Sequence, residues 1–393
     1  MRILYVTPVI PTETDGRRPY NFIKALGRRH EVHVIALKTP VQTMNDIVHL
    51  AKLGANAKTF NIGGLSSTVS SAFSILRGEP LRVGWCRSQR VHQAIRTFLE
   101  KRSADVIHFD RMRMGQYAIG LEGVPKLMDF TDSLALYLER SIPFRTSILD
   151  RIVDGYESSV IPRYESKVLE HVNYSLLCST VDAERFRKDH SSAPIEVIEN
   201  SVDIGEFNPK SRGTVVLPRC ILSGSLFYFP NVDAVRYFVQ EIWDRVRLRI
   251  RGIQTQIIGA RPMNEITSLH GKNKISVVSN VKRMADYLYE DDIYVCPLRV
   301  GSGIRNKLLE AMASGMAVVT TPLGCEGLQV RSNEEVVIAN DPAEFVEAIV
   351  QLVNNPDGRR AIGARARQYV ETYHSTEIMI QKIEAVYEQL RAK

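Results

Sequence analysis

The chain has few cysteines and no long apolar run. Its five cysteines are odd in number and widely spaced, and none belongs to a Cys-x-x-Cys pair. This pattern argues against a disulfide framework and against a zinc site, and it favours a reducing compartment such as the cytoplasm. No apolar stretch approaches the roughly 18 residues that a membrane-spanning helix needs. Met1–Ile10 has too short an apolar stretch for a secretory leader and no cleavage site, so we expect a first strand there.

Several ligand motifs are also missing. The chain has no G-x-x-x-x-G-K-[ST] phosphate loop, and Asn306 stands where a dinucleotide fingerprint starting at Gly301 would need its third glycine. No Asp-x-Asp pair indicates a metal site, and Asp291-Asp292 precedes a strand, where a solvated turn is expected. The basic regions lack the interleaved aromatic residues typical of nucleic-acid binding. We therefore predict no metal, no cofactor and no nucleic-acid partner.

The formal net charge of +7 is distributed unevenly along the chain. Residues 1–102 contain 16 Lys and Arg against 6 Asp and Glu, whereas the remaining residues contain 35 against 38. Arginines also flank Trp85, in a stretch expected to be an exposed loop over Gly78–Ser88. This pattern predicts peripheral contact with an anionic membrane surface. The alternatives are a soluble small-molecule substrate and a basic face that is simply solvated.

The 393 residues are enough for two domains, and strands alternate with helices twice along the chain. This alternation predicts two α/β domains with parallel sheets. We place the first domain at 1–207 and the second at 208–375, with Asn208–Pro218 as the linker. Residues 376–393 form an amphipathic helix with its apolar side chains on one stripe, namely Met379, Ile383, Val386 and Leu390.

The most informative stretch is Arg299–Leu328. Ile293–Pro297 is an apolar run that predicts a buried strand, and a glycine loop separates it from a helix predicted over Ile304–Met312. A helix start of this kind offers free N–H groups and the positive end of the helix dipole to a phosphate. Lys307 and Glu310 share one helix face, so a carboxylate can accept ribose hydroxyls beside a bound diphosphate. Alternatively, the loop is an ordinary α/β connection and Glu310 is solvated.

The segment GSGIRNKLLEAMASGMAVVTTPLGCEGL resembles the nucleotide-sugar site of retaining glycosyltransferases of family 4, particularly the sugar transferases of bacterial exopolysaccharide clusters. The resemblance extends through PVIPTETDGRRPYNFIKAL, IENSVD and SGSLFYFPNVDAV. It implies the GT-B fold, in which two doubly wound Rossmann-like domains face a central cleft. It also implies retention of configuration without a metal, and a last helix that crosses back to the first domain.

The resemblance assigns residues as follows. The donor nucleotide sugar is bound by Gly16, Gly224, Ser225, Gly301, Ser302, Gly303, Ile304, Arg305, Lys307, Glu310 and Glu326. The catalytic candidates are Lys307, Arg305, His108 and Asp110. The acceptor side is formed by Arg17, Arg18 and Asp132, and Asn200-Ser201-Val202-Asp203 is expected to be a hinge between the domains.

The sequence departs from the family pattern at three points. Ser302 replaces the first of two glutamates, so the carboxylate that touches the donor sugar is absent, and Glu326 is a candidate replacement. The stretch after Gly224 has no cation, which leaves the phosphate charge to Arg305 and Lys307. Asn231 in that stretch is expected to cap the following helix rather than contact the ligand.

These observations predict a cytoplasmic transferase that moves a sugar from a nucleoside diphosphate sugar to a sugar-containing or lipid-linked acceptor. One alternative is a nucleotide-sugar epimerase of the same fold, in which water replaces the acceptor. A second is a non-catalytic nucleotide-sugar-binding partner of a true transferase. A DNA-modifying glucosyltransferase is the least favoured alternative. The base, the sugar and the acceptor are not named by the sequence.

Overall fold

The computed structural model describes residues 1–13, 16–40, 42–213 and 217–392. The chain forms two compact units. The first consists of Met1–Glu199 together with Glu377–Lys393, and the second of Asn200–Thr376. The chain therefore leaves the first unit after Glu199, a few residues before the predicted boundary at 207.

The first unit is built on a parallel sheet. Within the described residues this sheet has seven strands in the order β3-β2-β1-β4-β5-β6-β7. The strands are β1 Arg2–Thr7, β2 Glu31–Lys38, β3 Ala55–Asn61, β4 Val106–Asp110, β5 Lys126–Thr131, β6 Tyr174–Leu177 and β7 Ile195–Val197. Its central strands are buried on both faces, as expected for a parallel sheet with helices on each side.

Helices connect these strands. They are α1 Arg17–Leu26, α2 Met44–Lys52, α3 Gly64–Leu76, α4 Leu81–Trp85, α5 Gln89–Lys101, α6 Leu134–Ser141, α7 Ile148–Leu169 and α8 Thr180–Asp189. Short 3-10 turns cover Met112–Tyr117 and Ile142–Phe144.

The second unit repeats this plan. Its sheet, as far as the chain is described, has six parallel strands in the order β10-β9-β8-β11-β12-β13. They are β8 Cys220–Ser223, β9 Thr255–Gly259, β10 Ile275–Ser279, β11 Ile293–Cys296, β12 Ala317–Thr320 and β13 Val337–Ile338. The helices are α9 Phe229–Tyr237, α10 Asp244–Arg249, α11 Asn264–Thr267, α12 Asn306–Ala313, α13 Pro342–Asn354 and α14 Pro356–Tyr373. A π-helical turn over Phe238–Trp243 joins α9 to α10, and a 3-10 turn covers Met284–Tyr287.

The last helix, α15 Thr376–Arg391, returns to the first unit. Its buried stripe packs into the core beneath β1 and β2, in contact with side chains such as Ile3 and Val34. This stripe contains the four side chains expected from the sequence, together with Ile380 and Tyr387. The amphipathic pattern therefore reports packing within the chain.

Four features differ from the sequence-based expectations. The predicted linker Asn208–Pro218 lies inside the second unit, because Ser211 and the Arg212 amide bond Asp291 of that unit. The helix predicted from Ile304 begins at Asn306. Part of the loop predicted over Gly78–Ser88 is the short helix α4, which buries Val83 and Gly84. Helices α8 and α14 were not predicted.

Among the described residues, no helix has both the length and the apolar character needed to cross a membrane.

Candidate functional site

The carboxyl edge of the second sheet contains the point at which strand order reverses. β8 lies between β9 and β11, so the connections that follow β8 and β11 leave in opposite directions. Ligands of open α/β sheets bind in the crevice at such a point. The loops after β8, β11 and β12 meet at this edge, and together with helix α12 they carry every donor-site residue predicted from the second half of the sequence.

The loop after β11 requires glycine. Gly301 has φ of 140°, which side-chain-bearing residues rarely adopt, and a Cβ atom there would lie 3.2 Å from the Arg305 guanidinium. Gly303 has φ of 73°. This loop leads directly into α12, so its backbone N–H groups lie where a phosphate-binding loop needs them.

The Arg305 side chain holds two of these loops together. It is the residue that precedes α12, and its guanidinium turns back to donate to the Ser302 carbonyl. The same guanidinium donates to the Leu323 carbonyl, 3.4 Å away, in the loop after β12. Arg305 thus braces the edge while placing positive charge beside the glycines.

Lys307 lies one residue further, at the second position of α12. Its Nζ donates to Asn231 Oδ1 at 2.7 Å, and Asn231 belongs to the segment that follows β8. Burial lowers the pKa of Lys307, and the nearby Arg305 charge acts in the same direction, while Glu310 opposes it. An ammonium held in this way is desolvated and positioned, so it interacts strongly with an added anion.

Asn231 is the residue whose role the sequence misassigned. The helix α9 begins at Phe229 after Tyr228, so Asn231 lies inside its first turn and does not cap it. Its Nδ2 donates to the Ser225 carbonyl at 3.0 Å while its Oδ1 accepts from Lys307. Gly224 is required beside it, because a Cβ atom there would lie 2.6 Å from Asn231 Nδ2.

Glu310 and Glu326 are both half-buried at this edge. Glu310 lies one helical turn after Lys307 on α12. Glu326 belongs to the loop after β12, which Thr321 fixes by accepting from the Gly324 amide at 2.9 Å. The Thr321 hydroxyl also donates to the Leu298 carbonyl, which ties this loop to the one after β11.

Asn200 makes a contact that the sequence did not reveal. It is buried, and its Nδ2 donates at 2.7 Å to the carbonyl of Ile304, the residue before Arg305. Its own carbonyl lies 3.2 Å from His374 Nδ1. The segment expected to act as a hinge therefore supports the glycine loop of the second unit directly.

The first sheet also reverses strand order, between β1 and β4. Thr7 ends β1 and donates to Asp110 Oδ2, at the end of β4, at 2.8 Å. Next to this pair, Arg18 forms a buried salt bridge with Asp129 of β5 at 2.8 Å and donates to the Ile198 carbonyl at 2.7 Å. Arg18 was expected on the acceptor side, but its guanidinium is engaged in these bonds inside the first unit.

His108 occupies the interior of this cluster. The side chain has no exposed surface, its Nδ1 lies 2.7 Å from the Tyr387 hydroxyl of α15, and its ring packs against Tyr5. Asp110 is also fully buried. Neither side chain reaches the surface in this structure, where both pack the sheet edge, and their catalytic assignment stays a prediction.

The two buried carboxylates of this cluster differ in their electrostatics. Burial raises the pKa of Asp110, against a smaller opposing effect of Arg111. Burial has the same tendency at Asp129, but Arg18 and His108 outweigh it and bring the pKa of Asp129 to about 2. Asp129 is therefore a stable anion, whereas burial shifts Asp110 towards its neutral form.

The remaining predicted residues of the first unit lie near α1 and α6. Gly16 immediately precedes α1, and Arg17 is half-buried with its guanidinium donating to the Glu13 carbonyl at 3.2 Å. Asp132 is half-buried just before α6, whose N-cap is Ser133. Asp15, which belongs to the same motif as Gly16, lies outside the described residues.

Residues 218–355 match the profile of the family described as glycosyl transferases group 1. This match covers both loops that Arg305 joins and the Lys307–Asn231 pair. The matched residues lie within the second unit. A protein described as an uncharacterized 44.6 kDa protein in the cps region of Klebsiella pneumoniae is 26% identical over 164 residues. That similarity covers 39% of this chain and 42% of the Klebsiella protein, so the chain spans less than half of that relative's length.

Solved structures resemble the whole chain. Sucrose-phosphate synthase from Thermosynechococcus elongatus superposes with a TM-score of 0.72 at 14% identity, over 100% of both chains. Anabaena HepE, solved with UDP, gives a TM-score of 0.68 at 13% identity, over 99% of this chain and 100% of its own. HepE has also been solved with UDP-glucose. These similarities confirm the GT-B fold predicted from the sequence.

Proposed function

We propose that this chain is a retaining glycosyltransferase that moves a hexosyl unit from a nucleoside diphosphate sugar to an acceptor hydroxyl. The main support is the Lys307–Asn231 contact of 2.7 Å at the strand-order reversal of the second sheet. It fixes a desolvated cation beside a glycine loop and a helix start, where a diphosphate has both N–H donors and positive charge.

The roles of the site residues follow from these positions. The loop at Gly301–Gly303 and the start of α12 bind the diphosphate through backbone amides. Lys307 and Arg305 neutralise the charge that develops as the diphosphate leaves, which is when a fixed cation lowers the barrier most. Glu310 accepts the ribose hydroxyls, and Glu326 approaches the sugar in place of the carboxylate that Ser302 lacks. In this proposal the leaving phosphate takes the acceptor proton, so no protein nucleophile is required.

The proposed reaction needs no metal ion. Two cationic side chains and a helix terminus supply the positive charge for which a metal would otherwise be required. Among the described residues, no cluster of His, Cys, Asp and Glu has the arrangement of a metal site.

We place the reaction in the cytoplasm, in polysaccharide or glycoconjugate synthesis, with the first unit holding a sugar-containing or lipid-linked acceptor. The cps-region relative supports the pathway, and the HepE complexes support a UDP-sugar donor. Arg17 and Asp132 remain the acceptor-side candidates, since Arg18 is engaged with Asp129.

The presence of Ser302 at the position of the first motif glutamate favours a second candidate, a nucleotide-sugar-binding subunit without transferase activity. A donor panel separates the candidates, with products measured in the presence and absence of acceptor. Transfer to an acceptor with an unchanged anomeric configuration supports the proposal. Binding without turnover supports the binding subunit, and a free epimerised sugar identifies an epimerase. An inverted product overturns retention.

A further inference from the structure

The amphipathic helix α3 exposes its apolar side chains, which is unusual for a helix that packs only within its own chain. Its buried side chains are Ser67 and Ser74, whereas its large apolar side chains point outward. Leu65 and Leu76 are each 81% exposed, and Phe73 is 54% exposed. A surface helix of a water-soluble domain normally buries its apolar stripe and exposes its serines.

The serine face of α3 packs against the neighbouring helix α4. The Ser71 hydroxyl donates to the Leu81 carbonyl of α4 at 3.0 Å, and Ser67 Oγ accepts from the Gly63 amide at 2.8 Å. Gly84 of α4 comes so close that a Cβ atom there would lie 2.2 Å from Ser74 Oγ. This small-residue contact fixes the orientation of α3, so its apolar face cannot turn inward without losing the contact.

A second exposed apolar group lies on the first turns of α7. Ile148, Leu149 and Ile152 are 76%, 69% and 64% exposed. One turn further along α7, the Tyr156 hydroxyl donates to the Glu79 carbonyl at 3.0 Å, in the connection that follows α3. This contact joins the two helices, and we call the outward side chains of α3 and of the α7 start the apolar face.

Cationic residues predominate in the sequence around α3. Helix α3 contains no charged residue. The exposed Arg77 follows its last turn, and the exposed Trp85 lies beside Gly63, the residue that precedes the helix. Across residues 62–90 the charged residues are four arginines against the single Glu79. Cations and an exposed tryptophan at the edge of an uncharged apolar helix complement the headgroup region of an anionic bilayer.

We infer that the apolar face docks the first unit onto the surface of an anionic lipid bilayer, with α3 lying in the plane of the interface. The thirteen residues of α3 span about 20 Å, which is too short to cross a hydrocarbon core of about 30 Å. The apolar side chains enter the acyl boundary while Arg77 remains among the phosphates.

This inference deepens the proposed function, because it names the surface that would bring the enzyme to a lipid-linked acceptor. It rests on that function only for the acceptor. Docking itself requires no sugar transfer, so its test measures binding to vesicles and needs no turnover.

The test is co-sedimentation of the full chain with vesicles of phosphatidylcholine alone or mixed with phosphatidylglycerol, at low salt. The triple variant Leu65→Ser, Phe73→Ser, Leu76→Ser removes apolar side chains that are already exposed, so its folding should be intact by circular dichroism. We expect about a tenfold or greater loss of partitioning onto the mixed vesicles. The matched control is Leu248→Ser, which changes an 87% exposed leucine of the second unit and should bind as the wild type does.

Tryptophan fluorescence supplies an independent readout. The chain has two tryptophans, and Trp243 is fully buried with its indole bonded to the Asn273 carbonyl at 2.9 Å. Trp85 is 37% exposed, so we expect its emission to shift to the blue on the mixed vesicles and to be quenched by brominated lipid. Neither change should occur in Trp85→Phe.

Equal sedimentation of the triple variant and the wild type would overturn the inference. So would no binding of the wild type to the mixed vesicles, or a wild-type dimer that the triple variant abolishes in sedimentation analysis. Nucleotide-sugar binding, measured on the same samples, separates the two proposals. Its loss with vesicle binding intact counts against the proposed function alone, whereas the reverse result counts against the docking surface alone.

Discussion

Lys307 Nζ lies 2.7 Å from Asn231 Oδ1, and this contact joins the segments that follow two neighbouring strands of the second sheet. The amide oxygen positions the ammonium without adding a negative charge beside it. A carboxylate at position 231 would have cancelled the charge of the ammonium. The pair is therefore suited to hold a cation ready for an anionic leaving group.

Replacing Lys307 with Met should lower turnover about 10²- to 10³-fold and weaken donor binding much less, because the charge matters most as the diphosphate leaves. The measurement is kcat in a donor-consumption assay beside the donor Kd from calorimetry. Lys272→Met, at an exposed lysine of the same unit, is the control. Equal losses in kcat and in affinity would show that Lys307 contributes ground-state binding only.

Asn231→Ala should reduce turnover through the same lysine. Because the two side chains are in contact, the effects of Asn231→Ala and Lys307→Met should not add in a double-mutant cycle. The same kcat assay is applied to the wild type, the two single variants and the double variant. Additive effects would show that Asn231 acts independently of the ammonium.

Glu310→Ala should weaken nucleotide binding by about 1–3 kcal/mol, the cost of a lost hydrogen bond to a charged group. Calorimetry with the free nucleoside diphosphate measures this directly, without any need for an acceptor. Glu241→Ala, at an exposed glutamate on the π-helical turn, should leave the Kd unchanged. A Glu310→Ala protein with wild-type affinity would show that Glu310 does not bind the ribose hydroxyls.

Activity should survive EDTA, because Arg305, Lys307 and the start of α12 already supply positive charge to the diphosphate. The measurement is initial rate before and after dialysis against the chelator. A rate that disappears and returns with magnesium or manganese would reveal a carboxylate site that the structure does not suggest.

The two buried aspartates of the first unit should respond oppositely to amidation. Asp129→Asn leaves the buried Arg18 guanidinium without its counter-charge and should cost about 3–5 kcal/mol of unfolding free energy near neutral pH. Asp110→Asn should cost far less, since burial already favours the neutral acid and the amide oxygen can still accept from Thr7. Urea denaturation of both variants beside the wild type measures the difference.

Their pH dependences should also differ in sign. The pKa of Asp129 is depressed to about 2, so its contribution is complete above about pH 4 and is lost as the pH falls towards 2. The pKa of Asp110 is raised, so the wild type loses stability relative to Asp110→Asn as the pH rises through that raised value. A wild-type stability that does not fall relative to that of Asp110→Asn as the pH rises would contradict this assignment.

The sequence predicted the parts of the site that are local in the chain. β11, the glycine loop and α12 are contiguous, and their glycines, cations and helix face can be recognised from spacing alone. The Lys307–Asn231 contact joins residues 76 positions apart, so it depends on how β8 and β11 pair. For the same reason Asn231 was assigned to a cap, which local propensity favours.

In the first unit, burial was the feature that the sequence did not predict. His108 and Asp110 do end a strand at the switch point, as the sequence indicated, but α1 and α15 cover that end with Arg18 and Tyr387. No local pattern shows which strand ends a distant helix will cover. Likewise, the helix pattern of α3 was predicted, whereas its outward apolar face follows from the contact between Gly84 and the serines.

The return of α15 to the first unit sets the order in which the protein can mature on the ribosome. Residues 1–199 emerge first, but the core side chains Ile3 and Val34 receive their cover from Met379, Ile383 and Leu390 only after the second unit has been synthesised. Until then the nascent first unit carries an open apolar surface, the kind that chaperones bind. A gene fragment ending near residue 199 should therefore yield aggregated protein. The same fragment with the α15 segment fused ahead of residue 1 should be soluble.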